Sequence, residues 1–159
     1  MDILNPTFLF RLKFKRLVHM ERSSSLLSRS LERRIRISTK GIGTMDAILT
    51  TENPRTAEEV WKALPIKGNA NLWGDEIYFS TSVSLKEEHA RAEVEVGAIA
   101  YWPPGKAVCI FFGQTPVSKH GEPRAASSVN VFAKVLGNPT TFRNVHYGDQ
   151  LILAKADSS

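Results

Sequence analysis

The chain has 159 residues, 42% of them hydrophobic, a formal net charge of +5 and a pI near 9.5, enough for one domain with a genuine core. The charge is uneven: residues 1–40 hold 10 Lys and Arg against 3 Asp and Glu, and the rest hold 11 against 13. The globular part is therefore slightly acidic and lacks the basic face that a folded nucleic-acid binder carries.

Residues 1–33 read as a basic N-terminal extension. Its apolar start, "PTFLFRLKFKRLVHM", is interrupted by Arg11, Lys13, Lys15 and Arg16. That is too broken for a bilayer span and lacks the order of a secretory signal, so no membrane partner is expected. The Arg- and Ser-rich, acid-poor composition fits a mitochondrial-type transit peptide, an amphipathic surface-binding segment, or sequence upstream of a later start such as Met20. The expectation is a poorly ordered extension outside the chemistry, followed by one domain over residues 34–157.

"RRIRIST" opens the domain as a strand with Ile35 and Ile37 on one face, and the turn at Gly41–Gly43 leads to a second strand, "TMDAILT". In "NPRTAEEVWKALP", Thr56 and Glu59 have capping-box spacing. Ala57, Val60, Trp61 and Leu64 form one helical stripe, and Pro65 stops the helix. "GNANLWGDEIYFSTSV" reads as a strand, a Gly74-Asp75 turn and a second strand, Glu76–Thr81. The polar "SLKEEHARAEVEVG" then crosses to a hairpin, "AIAYW" and "KAVCIFF", tipped by Pro104-Gly105 in a type II turn. Trp102, before a proline, is held extended.

Cys109 is the single cysteine, which excludes an intrachain disulfide and fits a reducing, cytoplasmic setting. Its mid-strand apolar neighbours make it core rather than nucleophile. "AVCIFF" is apolar on both faces, so both need cover: the core on one, and a helix, a loop or a neighbouring subunit on the other. The last option leaves a homo-oligomer open. A long loop, Gly113–Ser127, follows, then the strand Ser128–Val135 with Val129, Val131, Ala133 and Val135 alternating against Asn130, Phe132 and Lys134. In "NPTTFRNVHYG", Asn138 reads as an N-cap, Pro139 as the first turn and Gly148 as the end of a short helix. "DQLILAKA" closes the chain. About eight strands and two short helices, without βαβ alternation, predict a mostly β protein built as a closed antiparallel barrel.

The candidate site follows from the aromatic hairpin ends meeting the donor-bearing loop. Trp73, Glu76, Tyr78, Tyr101, Trp102, Phe112 and Asn130 would line a mixed aromatic and polar cleft, with Thr115 and Ser118 on the rim. Lys106 and Arg124 would favour an anionic or carbonyl-bearing ligand. The four histidines, His19, His89, His120 and His146, lack metal-ligand spacing, and no Gly-rich phosphate loop or G-x-S-x-G elbow is present. No metal or cofactor is expected.

"NLWGDEIYFST", "VEVGAIAYWPPGKAVCIFFGQTPVS", "PRAASSVNVFAKVLG" and "GDQLILAKA" together resemble the small prokaryotic cyclophilin-like domain, a family without an assigned activity, over about residues 34–156. The resemblance implies the cyclophilin-type closed barrel of about eight strands with short helices over its openings. It does not bring the enzyme: the F-H-R and Q-G-G-D strings of true cyclophilins do not occur here. The expected function is a small-ligand or peptide-binding module. The alternative is a divergent prolyl isomerase using Arg124 or Lys106 to stabilise the twisting imide.

Overall fold

Apolar side chains at a spacing of two build most of the molecule. The computed structural model describes residues 33–156; apart from Arg33, the readings of the basic extension lie outside them. Ten strands are formed: β1 (Arg34–Thr39), β2 (Gly43–Leu49), β3 (Ile66–Asn69), β4 (Asn71–Leu72), β5 (Glu76–Ser80), β6 (Arg91–Glu93), β7 (Ala98–Trp102), β8 (Ala107–Phe111), β9 (Arg124–Val135) and β10 (Gln150–Lys155). Among the described residues one α-helix, α1 (Pro54–Ala63), and a 3₁₀ turn, Pro139–Asn144, complete them. Among the described residues no helix is long and apolar enough to cross a membrane.

The fold is mostly β and the strand pairs are antiparallel, in the order β3-β10-β1-β2-β9-β7-β8-β5-β4, with β6 paired to β9. The expected closure of the barrel is not made by hydrogen bonds. The path begins at β3 and ends at β4, two halves of one stretch bent at Ala70, and no ladder joins β3 to β5. The margins meet through side chains: a Cβ on Gly68 would stand 2.5 Å from the Phe79 ring. β6 is the strand that the polar reading of residues 84–97 leaves out. It is three residues long and joins β9 through an irregular register, too short to show alternation.

Two apolar clusters lie on opposite faces of β7, β8 and β9. The larger takes Ile77, Phe79, Ile99, Tyr101, Val108, Ile110 and Phe132 together with Ile35, Ile37, Leu151 and Leu153. The smaller takes Ala98, Ala100, Cys109, Phe111, Ala125, Val129 and Val131, with Tyr78 and Trp102 packed against it. Both faces of "AVCIFF" are thus covered, and the chain itself supplies the second cover through β6, β9 and their neighbours.

The helix start differs from the capping-box reading. Pro54 occupies the first turn and Asn53 the N-cap position, three residues before Thr56, and no capping side chain of the local sequence bonds there. The carboxylate of Glu88 does this instead, accepting from the N–H of Arg55 (3.1 Å), the N–H of Thr56 (3.0 Å) and the Thr56 hydroxyl (2.9 Å). Burial pushes Glu88 up, but those bonds and His89 nearby outweigh it and hold its carboxyl below the usual range. Asn138 caps the 3₁₀ turn as read, its Oδ1 accepting from Thr140 N–H at 3.1 Å. This segment ends at Asn144, short of Gly148, which has φ +87°.

Candidate functional site

The smaller cluster leaves a hollow. Trp73, Glu76, Tyr78, Trp102, Cys109, Ala125, Ala126 and Val129 line a cavity of about 220 Å³. Strand parity explains the membership. Glu76 and Tyr78 point to the same face of β5, opposite to Ile77 and Phe79. The register Ala100↔Cys109 and Trp102↔Ala107 puts Trp102 on that same face of the neighbouring ribbon. Large rings stand beside small residues, and the space is what Ala125, Ala126 and Cys109 leave unfilled.

Local backbone geometry fixes the rings. Trp73 N–H donates to Glu76 C=O at 2.9 Å across the Gly74-Asp75 turn. Gly74 has φ +60°, and a Cβ there would meet Gln114 O at 2.8 Å, so the turn needs glycine on both counts. The 113–118 loop is laid over this turn, with Asp75 N–H donating to Gln114 C=O at 2.8 Å. Trp102 Nε1–H donates to Ser127 Oγ at 2.7 Å. At the hairpin tip the positive φ belongs to Lys106 (+46°), not to Gly105, so the turn is not type II. Gly105 is needed for another reason: a Cβ would lie 2.5 Å from the Trp102 ring.

Glu76 is the chemical centre of the hollow. It is 6% exposed, and among the described residues nothing hydrogen-bonds its carboxyl. Burial raises its pKa from 4.5 to about 8, so it stands mostly protonated at neutral pH. Cys109 is 2% exposed; burial, and then the nearby Glu76, push its thiol well above the usual value. It is a neutral wall atom rather than a thiolate, as its apolar strand implies.

The remaining expected site residues are placed elsewhere. Tyr101 faces the larger cluster, its hydroxyl donating to Val83 C=O at 2.7 Å and accepting from Leu85 N–H at 3.1 Å. Phe112 also turns to that side and packs on Phe142. Asn130 faces neither solvent nor the cavity. It is fully buried, accepts from Glu88 N–H at 3.0 Å and donates to Thr56 Oγ1 (3.1 Å) and Lys86 C=O (3.0 Å). Thr115 and Ser118 stitch their own loop, Thr115 N–H donating to Ser118 Oγ at 2.9 Å and the Thr115 hydroxyl donating to Arg124 C=O. Lys106 is exposed at the hairpin tip, and Arg124 is paired with Glu93 at 2.8 Å. Among the described residues no Lys or Arg lines the cavity. Sequence reasoning missed Cys109, Ala125, Ala126 and Val129 as walls. Of these, only Cys109 carried a signal, through its parity with Trp102. Among the described residues no group of three or more His, Cys, Asp or Glu stands where it would hold a metal ion.

Comparison with known proteins places this architecture. The Cyclophilin-like family model matches residues 33–154. The chain belongs to the cyclophilin-like family. The cyclophilin-like domain is similar to a hypothetical protein of Archaeoglobus fulgidus known from a solution structure. The two are 41% identical with a TM-score of 0.67, over 79% of this chain and 96% of that one. It also shares its fold with McbB, solved in complex with tryptophan: 14% identity and a TM-score of 0.60, over 79% of this chain and 45% of that one. No curated protein matches the chain.

Proposed function

We propose that this cyclophilin-like domain binds a small ligand in the cavity between β5, β8 and the start of β9. The observation that carries the reading is Glu76: a buried residue whose carboxyl has no partner among the described residues, set in the wall of a hollow of about 220 Å³ with Trp73, Tyr78 and Trp102. Buried polar groups in folded proteins are nearly always hydrogen-bonded, and one left open to a cleft has a partner to meet. An apolar pocket with few polar groups is the usual form of a small-molecule site. McbB, at 14% identity, shares only the fold and does not guide the choice of ligand.

The catalytic alternative, a divergent prolyl isomerase, has weaker support. That chemistry needs a cation at the twisting imide. Arg124 is held by Glu93, Lys106 sits at the hairpin tip, and neither lines the cavity. A thermal-shift screen of metabolites and proline peptides tests the binding reading. Hits are expected to raise the melting temperature and to occupy the cavity in a crystal. An empty screen with a side-chain-filled hollow in the crystal refutes it.

A further inference from the structure

We propose that the ligand is an organic cation, an amine or methylated amine whose charged head sits among Trp73, Tyr78 and Trp102 and against the carboxyl of Glu76. This rests on the binding reading above and names its chemistry. It also reverses the charge preference expected from Lys106 and Arg124, since those cations lie outside the hollow while the acid lies inside it.

Three observations converge. First, tryptophan and tyrosine faces attract cations through their quadrupoles, most strongly when water is excluded. Three such rings contribute to one small hollow. Second, among the described residues no Arg, Lys or hydrogen-bond donor satisfies the one carboxyl in the wall. The carboxyl stays protonated because nothing in the wall would balance its charge, and a cation entering here would balance the carboxylate. Third, the rest of the wall is Cys109, Ala125, Ala126 and Val129. It provides surface for methyl and methylene groups and no further oxygens for a metal ion, which would ask for several. A cavity of about 150 Å³ accepts benzene, so this one has room for a trimethylammonium-sized head.

Uptake is coupled to a proton. Around the hollow stand Tyr78 from the same strand as Glu76, Cys109 from β8, Trp73 from the turn, Trp102 from β7, and Ala125, Ala126 and Val129 from β9; the Cys109 thiol is pushed well above its usual range by burial. Empty, the carboxyl keeps its proton to about pH 8. A bound cation favours the carboxylate, so the proton leaves as the ligand enters. At pH 7 most of a proton should be released per ligand. Apparent affinity should fall roughly tenfold for each pH unit below 8 and flatten above it.

The experiment uses the full chain with choline and its neutral carbon isostere, 3,3-dimethylbutan-1-ol. Titration calorimetry in phosphate and in Tris counts protons, and tryptophan emission reports the site. Choline is expected to bind at least tenfold more tightly than the isostere, to release close to one proton at pH 7, and to lose at least tenfold in affinity in Glu76→Gln. Parallel unfolding curves establish that the variant is folded. If the isostere binds as well as choline and Glu76→Gln leaves both unchanged, the cation proposal is overturned while the cavity remains a ligand site. If neither probe binds at any pH from 6 to 9 and the metabolite screen is also empty, both readings fail.

Discussion

Replacing Glu76 by glutamine should stabilise the protein, and by an amount that grows with pH. Glu76 is 6% exposed, among the described residues no bond offsets its burial, and its pKa rises from 4.5 in the ordinary state to about 8 in the fold. Between those values the unfolded chain has given up a proton that the folded chain keeps. Stability is therefore fully present below pH 4.5 and is lost as pH rises towards 8, by about 1.4 kcal/mol per unit. The whole interval is worth roughly 4–5 kcal/mol, a large share of a small domain's net stability. Glutamine keeps the shape and never ionises. The gap between variant and wild type should be under about 1 kcal/mol at pH 5, about 3 at pH 7 and 4–5 at pH 9. Urea unfolding of both proteins at those three pH values measures it. Parallel pH profiles would show that Glu76 ionises normally, and the account of the hollow would go with it.

Asn130→Ala removes three hydrogen bonds of a fully buried side chain at once and should cost about 2–4 kcal/mol in urea unfolding. Glu88→Gln should weaken α1 by about 1 kcal/mol at pH 7. Because the Glu88 pKa is lowered, the stabilisation is present above the ordinary glutamate range and lost as pH falls below it. The difference should therefore shrink in acid, again read from urea curves. Cys109 should resist thiol reagents in the native protein and react at once in 6 M urea, because it is buried and neutral. Gly105→Ala drives a methyl into the Trp102 ring; it should shift the Trp102 indole resonance in NMR spectra while leaving that of Trp61 in place.

The architecture was largely legible because alternation and turn chemistry are local. The β7–β8 ribbon, the Asn138 cap and the two-sided burial of "AVCIFF" all follow from neighbours within a few residues. Half the wall of the hollow was legible for the same reason: Glu76 and Tyr78 share a strand face by spacing alone. The other half was lost to parity across strands. Tyr101 and Trp102 are adjacent, so only one of them could face the hollow, and the pairing of β5 with β8 that decides which is long-range. Asn130 was misread because its partners, Lys86, Glu88 and Thr56, come from segments 42 to 74 residues away. The alanines that create the space carry no sequence signal at all, since a missing side chain looks the same in a core as beside a ligand.

The stretch from Val83 to His89 has no ladder of its own, yet its polar backbone is held by four side chains: the Thr81 hydroxyl, the Tyr101 hydroxyl, the Asn130 amide and the Asn53 Oδ1, which accepts from His89 N–H at 2.6 Å. In return its Glu88 anchors a helix of ten residues, too short to persist alone. Neither piece has an independent existence, so they should exchange their amide hydrogens for deuterium in a single opening event. A lesion anywhere in that clasp would then be felt as the loss of one cooperative unit, with the ribbon bearing Cys109 still protected behind it.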